Sequence, residues 1–193
     1  MKTQKIVTFG ELLLRFSKPG QLRLTQGDMF TSKYGGSEAN VAVSLATQGE
    51  DVTYITRLPD TPVGHAGAQC MAQLGVDISR IVYGGQRIGT YYFEPAAGMR
   101  AAKVVYDRDY SAYYDLAPGM IDWRSILKDA DIFQVSGITA AISQQAADAT
   151  LRPSTLPRRW ALPSRLISTT VRICGNMVPT HARPCNACCR AVT

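Results

Sequence analysis

A paired glycine ahead of a run of helix formers is the first place in this sequence where residue types and spacing could support chemistry. In Tyr34-Gly35-Gly36-Ser37-Glu38-Ala39-Asn40, the missing Cβ atoms let a ligand approach the backbone. The helix that follows starts with N–H groups that no carbonyl satisfies. On its own the stretch reads equally well as a tight turn. Glu11 closes the first apolar run, at the strand end where parallel sheets take ligands. His65 sits among Ala and Gly, where packing or solvent exposure is the simpler reading, and Cys70 reads as a small buried hydrophobe. Tyr113-Tyr114 read as packing aromatics rather than a platform for nucleic-acid bases. Cys174, His181, Cys185, Cys188 and Cys189 include a C-x-x-C and have the look of a zinc set, with arginines nearby that could bind phosphate.

These residues need elements to position them. Residues 5–10 (KIVTFG) read as a buried strand, 11–16 continue extended, and Pro19-Gly20 turns the chain. A strand over 29–34 ends at the glycine pair. Residues 37–48 then read as a helix capped by Ser37 and stopped by Gly49. A strand over 52–57 precedes a second helix from Pro62 to Leu74, capped by Asp60 and ended by Gly75. Further strands are expected over 78–83, 90–94, 102–107 and 132–136, with a short helix over 121–127 and another beginning at 143–150. Strand–helix alternation with apolar strands argues for an α/β fold around a parallel sheet. The closely spaced extended segments at 11–35 and 90–107 break that alternation and suggest a small accessory sheet.

Composition divides the chain near residue 150. Residues 1–150 hold all 15 acidic residues, while residues 151–193 hold seven Arg, no Lys, no acid, four of the five Cys and five of the ten Pro. Solvated domain surfaces mix both charge signs, so such a segment is unlike a domain. The net charge of +6 therefore belongs to the tail and gives no ground for a nucleic-acid partner. Apolar stretches such as 41–46 are too short to span a bilayer, no signal peptide opens the chain, and a single Cys in 1–150 fits a reducing cytoplasm.

The stretch GGSEANVAVSLATQG, followed by Asp60-Thr61-Pro62-Val63-Gly64, resembles the amino-terminal signature of the ribokinase-like (PfkB) carbohydrate kinases. Gly89-Thr90-Tyr91, KVVYDRDYSA at 103–112, LAPGMIDW at 116–123 and SGITAAIS at 136–143 narrow the resemblance to the 2-keto-3-deoxygluconate kinase branch. It covers residues 5–150. It implies a Rossmann-like parallel sheet flanked by helices, with the accessory strands acting as a lid over a small-molecule sugar acid. By the same resemblance Gly35, Gly36 and Asn40 hold sugar hydroxyls, Tyr91 and Tyr106 line the pocket, and Arg108 pairs with the substrate carboxylate. A planar guanidinium suits that last task because it matches a carboxylate bidentately. Some family members carry a basic residue beside the second tyrosine, where this chain has Asp107. Asp107 and Arg108 thus remain alternatives for the pocket-facing residue, and Arg108 with Asp109 could form only a surface ion pair. Lid strands in this family often pair between subunits, which implies a homodimer.

The family uses ATP and Mg²⁺, and its catalytic base is an Asp in a G-A-G-D motif within the carboxy-terminal half of a chain of about 300 residues. This sequence contains no G-A-G-D and none of the ATP-binding segments that accompany it, so no catalytic base is assigned and no kinase activity is expected of this chain alone. A strand of the form D-x-N-Y-R-x-x-L-W is also missing, but the codons can hide it. Reading the third base of each codon with the first two of the next forces Gly across Trp160-Ala161 and again across Met177-Val178. Between Leu166 and Val178 the shifted frame permits D-L-N-Y-R-K-D-L-W-K-Y-G. The expectation is a one-base deletion near codon 151, with 151–193 an out-of-frame, disordered tail whose zinc-like cysteines carry no function.

Overall fold

The computed structural model describes residues 3–136, Ile142, Ala146 and the backbone of Arg165–Thr169. In chain order the first elements are β1 (Lys5–Phe9), β2 (Leu13–Ser17), β3 (Thr31–Gly35), α1 (Ser37–Thr47), β4 (Asp51–Ile55), β5 (Arg57–Leu58) and α2 (Pro62–Gln73). They are followed by β6 (Val82–Tyr83), β7 (Thr90–Glu94), β8 (Lys103–Asp107), α3 (Trp123–Leu127), β9 (Ile132–Ser136) and β10 (Arg165–Thr169).

The period-2 alternation of β1 sends its side chains to two different cores. Ile6 joins Val52, Tyr54 and Ile132 beneath Ala39 and Ala42 of α1 and Ala68 and Met71 of α2. Val7 and Phe9 face the other way, with Ile55, Phe133 and Val135, onto Tyr113, Leu116, Trp123 and Leu127. Phe9 meets Trp123 edge-on at 5.0 Å between ring centroids. A sheet covered on both faces is the α/β arrangement the apolar strands call for. The strand order is β10-β9-β1-β4, parallel throughout.

β10 is the departure at the seam. Disorder, expected over 151–193, does not describe Arg165–Thr169, which pair in parallel register with Ile132–Ser136. A β9 left at the sheet edge would present a row of unsatisfied N–H and C=O groups, and a short segment containing Ile167 and Thr169 has the β-branched residues to satisfy them. The zinc-like residues and the rest of that segment lie outside the described residues. So does the helix expected over 143–150, apart from Ala146, which is helical and buried.

The second sheet has the order β3-β2-β7-β8, with β2 parallel to β7 and both outer pairs antiparallel. This is the accessory sheet expected from 11–35 and 90–107. Its register sets Lys33, Arg15, Tyr91 and Tyr106 side by side on one face. The opposite face carries Phe16, stacked on Tyr92 at 5.6 Å and edge-on to Phe30.

Local chemistry moved several boundaries. Gly36, not Ser37, is the N-cap of α1 and makes no side-chain cap. Thr61, not Asp60, caps α2 by accepting from the Gly64 N–H, which frees Asp60 to bind His65 at 2.7 Å. The strand expected over 78–83 shrinks to Val82–Tyr83, because the Asp77 carboxylate takes the Ser79 N–H and the Ile81 N–H returns to Ile78 in a turn. Cys70 is half-buried rather than buried. Among the described residues no helix is long and apolar enough to cross a membrane.

Candidate sugar-binding site

The site forms where the chain leaves β1. Gly10 and Glu11 connect the core sheet to the lid, and three other segments converge on them. From α1, Gly36 packs so closely on the Glu11 carbonyl that any Cβ there would collide with it. Glycine at 36 is thus a requirement of close approach, its backbone being ordinary extended chain. From β4, the Tyr54 hydroxyl donates to the Gly10 carbonyl at 2.9 Å in a fully buried bond. From the turn after β8 come Arg108 and Ser111. Arg108 Nη2 lies 2.8 Å from Glu11 Oε2, and Ser111 Oγ donates to Glu11 Oε1 at 2.9 Å. That turn is closed by the Ser111 N–H donating to the Arg108 carbonyl, with Tyr110 at φ 55°.

Asp107 and Arg108 have different partners, and one of these, Arg87, carries no signal in the sequence. Arg87 pairs with the exposed Asp107 carboxylate at 2.8 Å and also donates to the Asp107 carbonyl. This holds Asp107 outward, and its pKa falls below the usual carboxylate range, first through the Arg87 hydrogen bond. Arg108, next in a chain that alternates sides, is left facing Glu11. Its guanidinium carbon lies 5.3 Å from the Tyr106 ring centroid, and Tyr106 lies 5.6 Å from Tyr91 across the β7–β8 pair. Tyr91, Tyr106, Arg108, Glu11 and Gly36 therefore form one continuous chain of contacts at the carboxyl end of β1.

Gly35 and Asn40 sit to one side of it. The Asn40 side-chain oxygen lies beside Gly35, and both line a cavity of about 240 Å³ between α1 and α2, shared with Tyr34, Val43, Cys70 and Leu74. The structure thus brings four of the six expected residues together and places the other two on an adjoining surface.

Two carboxylates are buried here. Glu38, in the first turn of α1, accepts from the Ser136 N–H at 2.9 Å and from Ser37 Oγ at 2.6 Å, tying the Gly-Gly turn to the end of β9. Glu11 is raised above the ordinary carboxylate pKa, chiefly by burial. The Arg108 charge, the bond from Ser111 and Arg108's own hydrogen bonding pull it down, and the Glu38 charge pushes it up. Glu11 stood out in the sequence for its place at the strand end, but its partners did not, and Glu38 did not stand out at all. Glu38 lay inside a recognised motif with no separate signal, and Ser111 could have been suspected only from its place beside Arg108. Among the described residues no group of three or more His, Cys, Asp or Glu side chains gathers.

A parallel sheet with a glycine-led helix at its strand ends, joined to a second sheet that carries Tyr91 and Tyr106 beside Arg108, defines an α/β protein of the kind whose ligand sites lie at the carboxyl ends of the strands. Residues 3–154 match the pfkB family carbohydrate kinase profile, and the chain belongs to that family. It is similar to the 2-dehydro-3-deoxygalactonokinase of Haloferax volcanii, 32% identical over 148 residues, which cover 77% of this chain and 46% of that protein. The crystal structure of 2-dehydro-3-deoxygluconokinase from Thermotoga maritima superposes with a TM-score of 0.74 at 42% identity, covering 78% of this chain and 48% of that one. A PfkB family carbohydrate kinase from Listeria grayi superposes with a TM-score of 0.78 at 30% identity, covering 86% and 51%. The chain spans about half the length of these relatives.

Proposed function

We propose that this chain carries the sugar-acid cup of an ATP-dependent carbohydrate kinase that phosphorylates 2-keto-3-deoxygluconate. The observation that carries the reading is the Arg108 guanidinium, held at the strand ends beside Tyr106 and Tyr91 and facing away from the Arg87–Asp107 pair. In this reading Arg108 takes the sugar carboxylate, the two tyrosines line the ring's path, Gly36 offers backbone, and Gly35 and Asn40 hold hydroxyls. ATP and Mg²⁺ belong to segments that this sequence lacks, so the 193-residue chain binds the sugar acid without turning it over. The chain acts in the cytoplasm and pairs with a second copy through its lid strands.

Binding is tested by the melting temperature of the chain with and without 2-keto-3-deoxygluconate. Ligand at a hundredfold excess over Kd should stabilise by about 2.7 kcal/mol. No shift at millimolar concentration would remove the substrate assignment. A coupled assay with ATP and Mg²⁺ should give no turnover, and measurable phosphorylation would overturn the inactive reading.

The absence of G-A-G-D favours a second reading, a sugar-acid binding module with no catalytic task. We read residues from about 151 onward as out of frame. The β10 pairing does not decide this, because the edge of β9 is satisfied by backbone N–H and C=O groups, which a strand from either frame supplies. The gene sequence past codon 145 decides it: a shifted frame encoding D-x-N-Y-R-x-x-L-W and G-A-G-D supports the kinase, and its absence leaves the binding module.

A further inference from the structure

We propose that Glu11 is a positioning residue for carboxylate recognition: it holds the Arg108 guanidinium at the strand ends as a resident counter-ion, and an incoming sugar carboxylate takes its place. The inference rests on the sugar-acid reading above and adds to it the residue that makes the arginine available and a proton that moves on binding.

The geometry is that of a held and only partly used guanidinium. The Arg108 side chain is 18% exposed and the Glu11 side chain 4%. Glu11 contacts one terminal nitrogen, while Arg108 Nε is buried and has no hydrogen-bond partner among the described residues. A guanidinium carries five N–H donors in a planar fork, so a carboxylate that binds it bidentately can displace a partner held through one nitrogen. Glu11 is itself fixed at three points. Gly36 packs on its carbonyl, Ser111 donates to Oε1, and Oε1 lies against Gly89 in space that any side chain there would fill, a Cβ coming within 2.6 Å of it.

The charged and titratable groups facing Glu11 are Arg108 from the turn after β8, Glu38 from α1 and the Tyr54 phenol from β4, with Ser111 as a neutral donor. With the site empty, Arg108 and Ser111 support the ionised carboxylate against burial and against the Glu38 charge. A ligand carboxylate on Arg108 removes that support and adds a second anion. Glu11 then takes a proton from solvent onto a carboxyl oxygen, no other covalent bond is made or broken, and the pair with its ligand becomes neutral, as the empty pair is. Affinity for the acid should therefore rise as pH falls, by up to about tenfold per pH unit where one proton is taken up.

The test is calorimetry of the 193-residue chain with 2-keto-3-deoxygluconate and with its methyl ester, each in two buffers of different ionisation enthalpy. Wild type should take up a proton with the acid and none with the ester, and should bind the acid more tightly. Glu11→Gln should take up no proton with either ligand, and its affinity for the acid should not vary with pH. Ser111→Ala withdraws support from the ionised carboxylate while keeping the charge pair, so it should move the window of proton uptake to higher pH. This variant serves if Glu11→Gln fails to fold. Binding of the acid without proton uptake, or an unchanged pH profile in Ser111→Ala, would overturn this inference and leave the sugar-acid reading standing, while an ester as tight as the acid would overturn both. No binding of either ligand by wild type would overturn both.

Discussion

Replacing Gly89 with alanine tests how tightly the site is built, because two effects of opposite sign compete and the structure says which wins. The Gly89 backbone does not lie in the left-handed region, so alanine is conformationally acceptable. By restricting the unfolded chain it should stabilise by about 0.4–1 kcal/mol. Against this, the new Cβ would lie 2.6 Å from Glu11 Oε1, 2.6 Å from Leu13 Cδ2 and 3.4 Å from Arg108 Cβ. Ordinary carbon contacts lie near 3.5–4.0 Å, so two atoms must each retreat by about 1 Å. Leu13 is buried and Glu11 is held by Ser111 and Arg108, while the backbone at 89 is fixed by the Leu14 N–H donating to its carbonyl at 3.0 Å. Overpacking of this kind costs about 1–3 kcal/mol, leaving a net loss of about 1–2 kcal/mol. In urea unfolding, with a slope of about 2 kcal/mol/M, the midpoint should fall by about 0.5–1 M. Gly35→Ala is the control: its nearest neighbour is Asn40 Oδ1 at 3.7 Å, an ordinary contact, so its midpoint should hold or rise slightly. A Gly89→Ala midpoint equal to or above wild type would refute the close packing of Glu11 against this segment.

Arg108→Ala leaves the Glu11 carboxylate buried without its counter-ion and should cost about 2–3 kcal/mol at pH 8, somewhat below the range for fully buried pairs. Burial already holds the Glu11 pKa above its unfolded value, and losing Arg108 raises it further. The protonated form is therefore the tolerated one: stability is kept below the unfolded pKa of about 4.3 and lost as pH rises through the folded pKa. The defect should shrink toward pH 4.5, and equal losses in urea midpoint at the two pH values would contradict this. Phe9→Ala removes a fully buried ring packed on Tyr113 and Trp123 and should cost about 3–5 kcal/mol by the same measurement; a loss under about 1 kcal/mol would mean that this core is not formed.

Those elements were most legible whose signals are local. β7 and β9 fall where their apolar and β-branched runs predict, and the lid was visible because extended segments at 11–35 and 90–107 could not be fitted into strand–helix alternation. Caps were less legible, since Ser37 and Asp60 are acceptable capping types and only the chain's path shows that Gly36 and Thr61 occupy the positions. Within the site, Arg108 and the two tyrosines came from resemblance, and sequence left the direction of Arg108 open. In the structure Asp107 pairs with Arg87, a residue 20 positions away whose role depends on how a loop packs against an edge strand. The partners of Glu11 and Glu38 are fixed by contacts spanning about a hundred residues, which no local pattern encodes. β10 went unforeseen for a related reason: composition marks a segment as unlike a domain, yet an open sheet edge can still recruit five suitable residues.

The bond from the Ser136 N–H to Glu38 crosses 98 positions, and that from Ser111 to Glu11 crosses 100. A chain made from its amino terminus thus presents the glycine-led helix start long before the residues that fasten it exist. At about 5–20 residues per second, the interval is about 5–20 s. For that time Glu11, just past β1, is without Ser111 and Arg108, and Glu38, in α1, is without the Ser136 N–H at the end of β9. The cup is therefore among the last features of the described residues to close during synthesis, and chains interrupted before residue 136 would carry its glycines and acids with nothing to shape them.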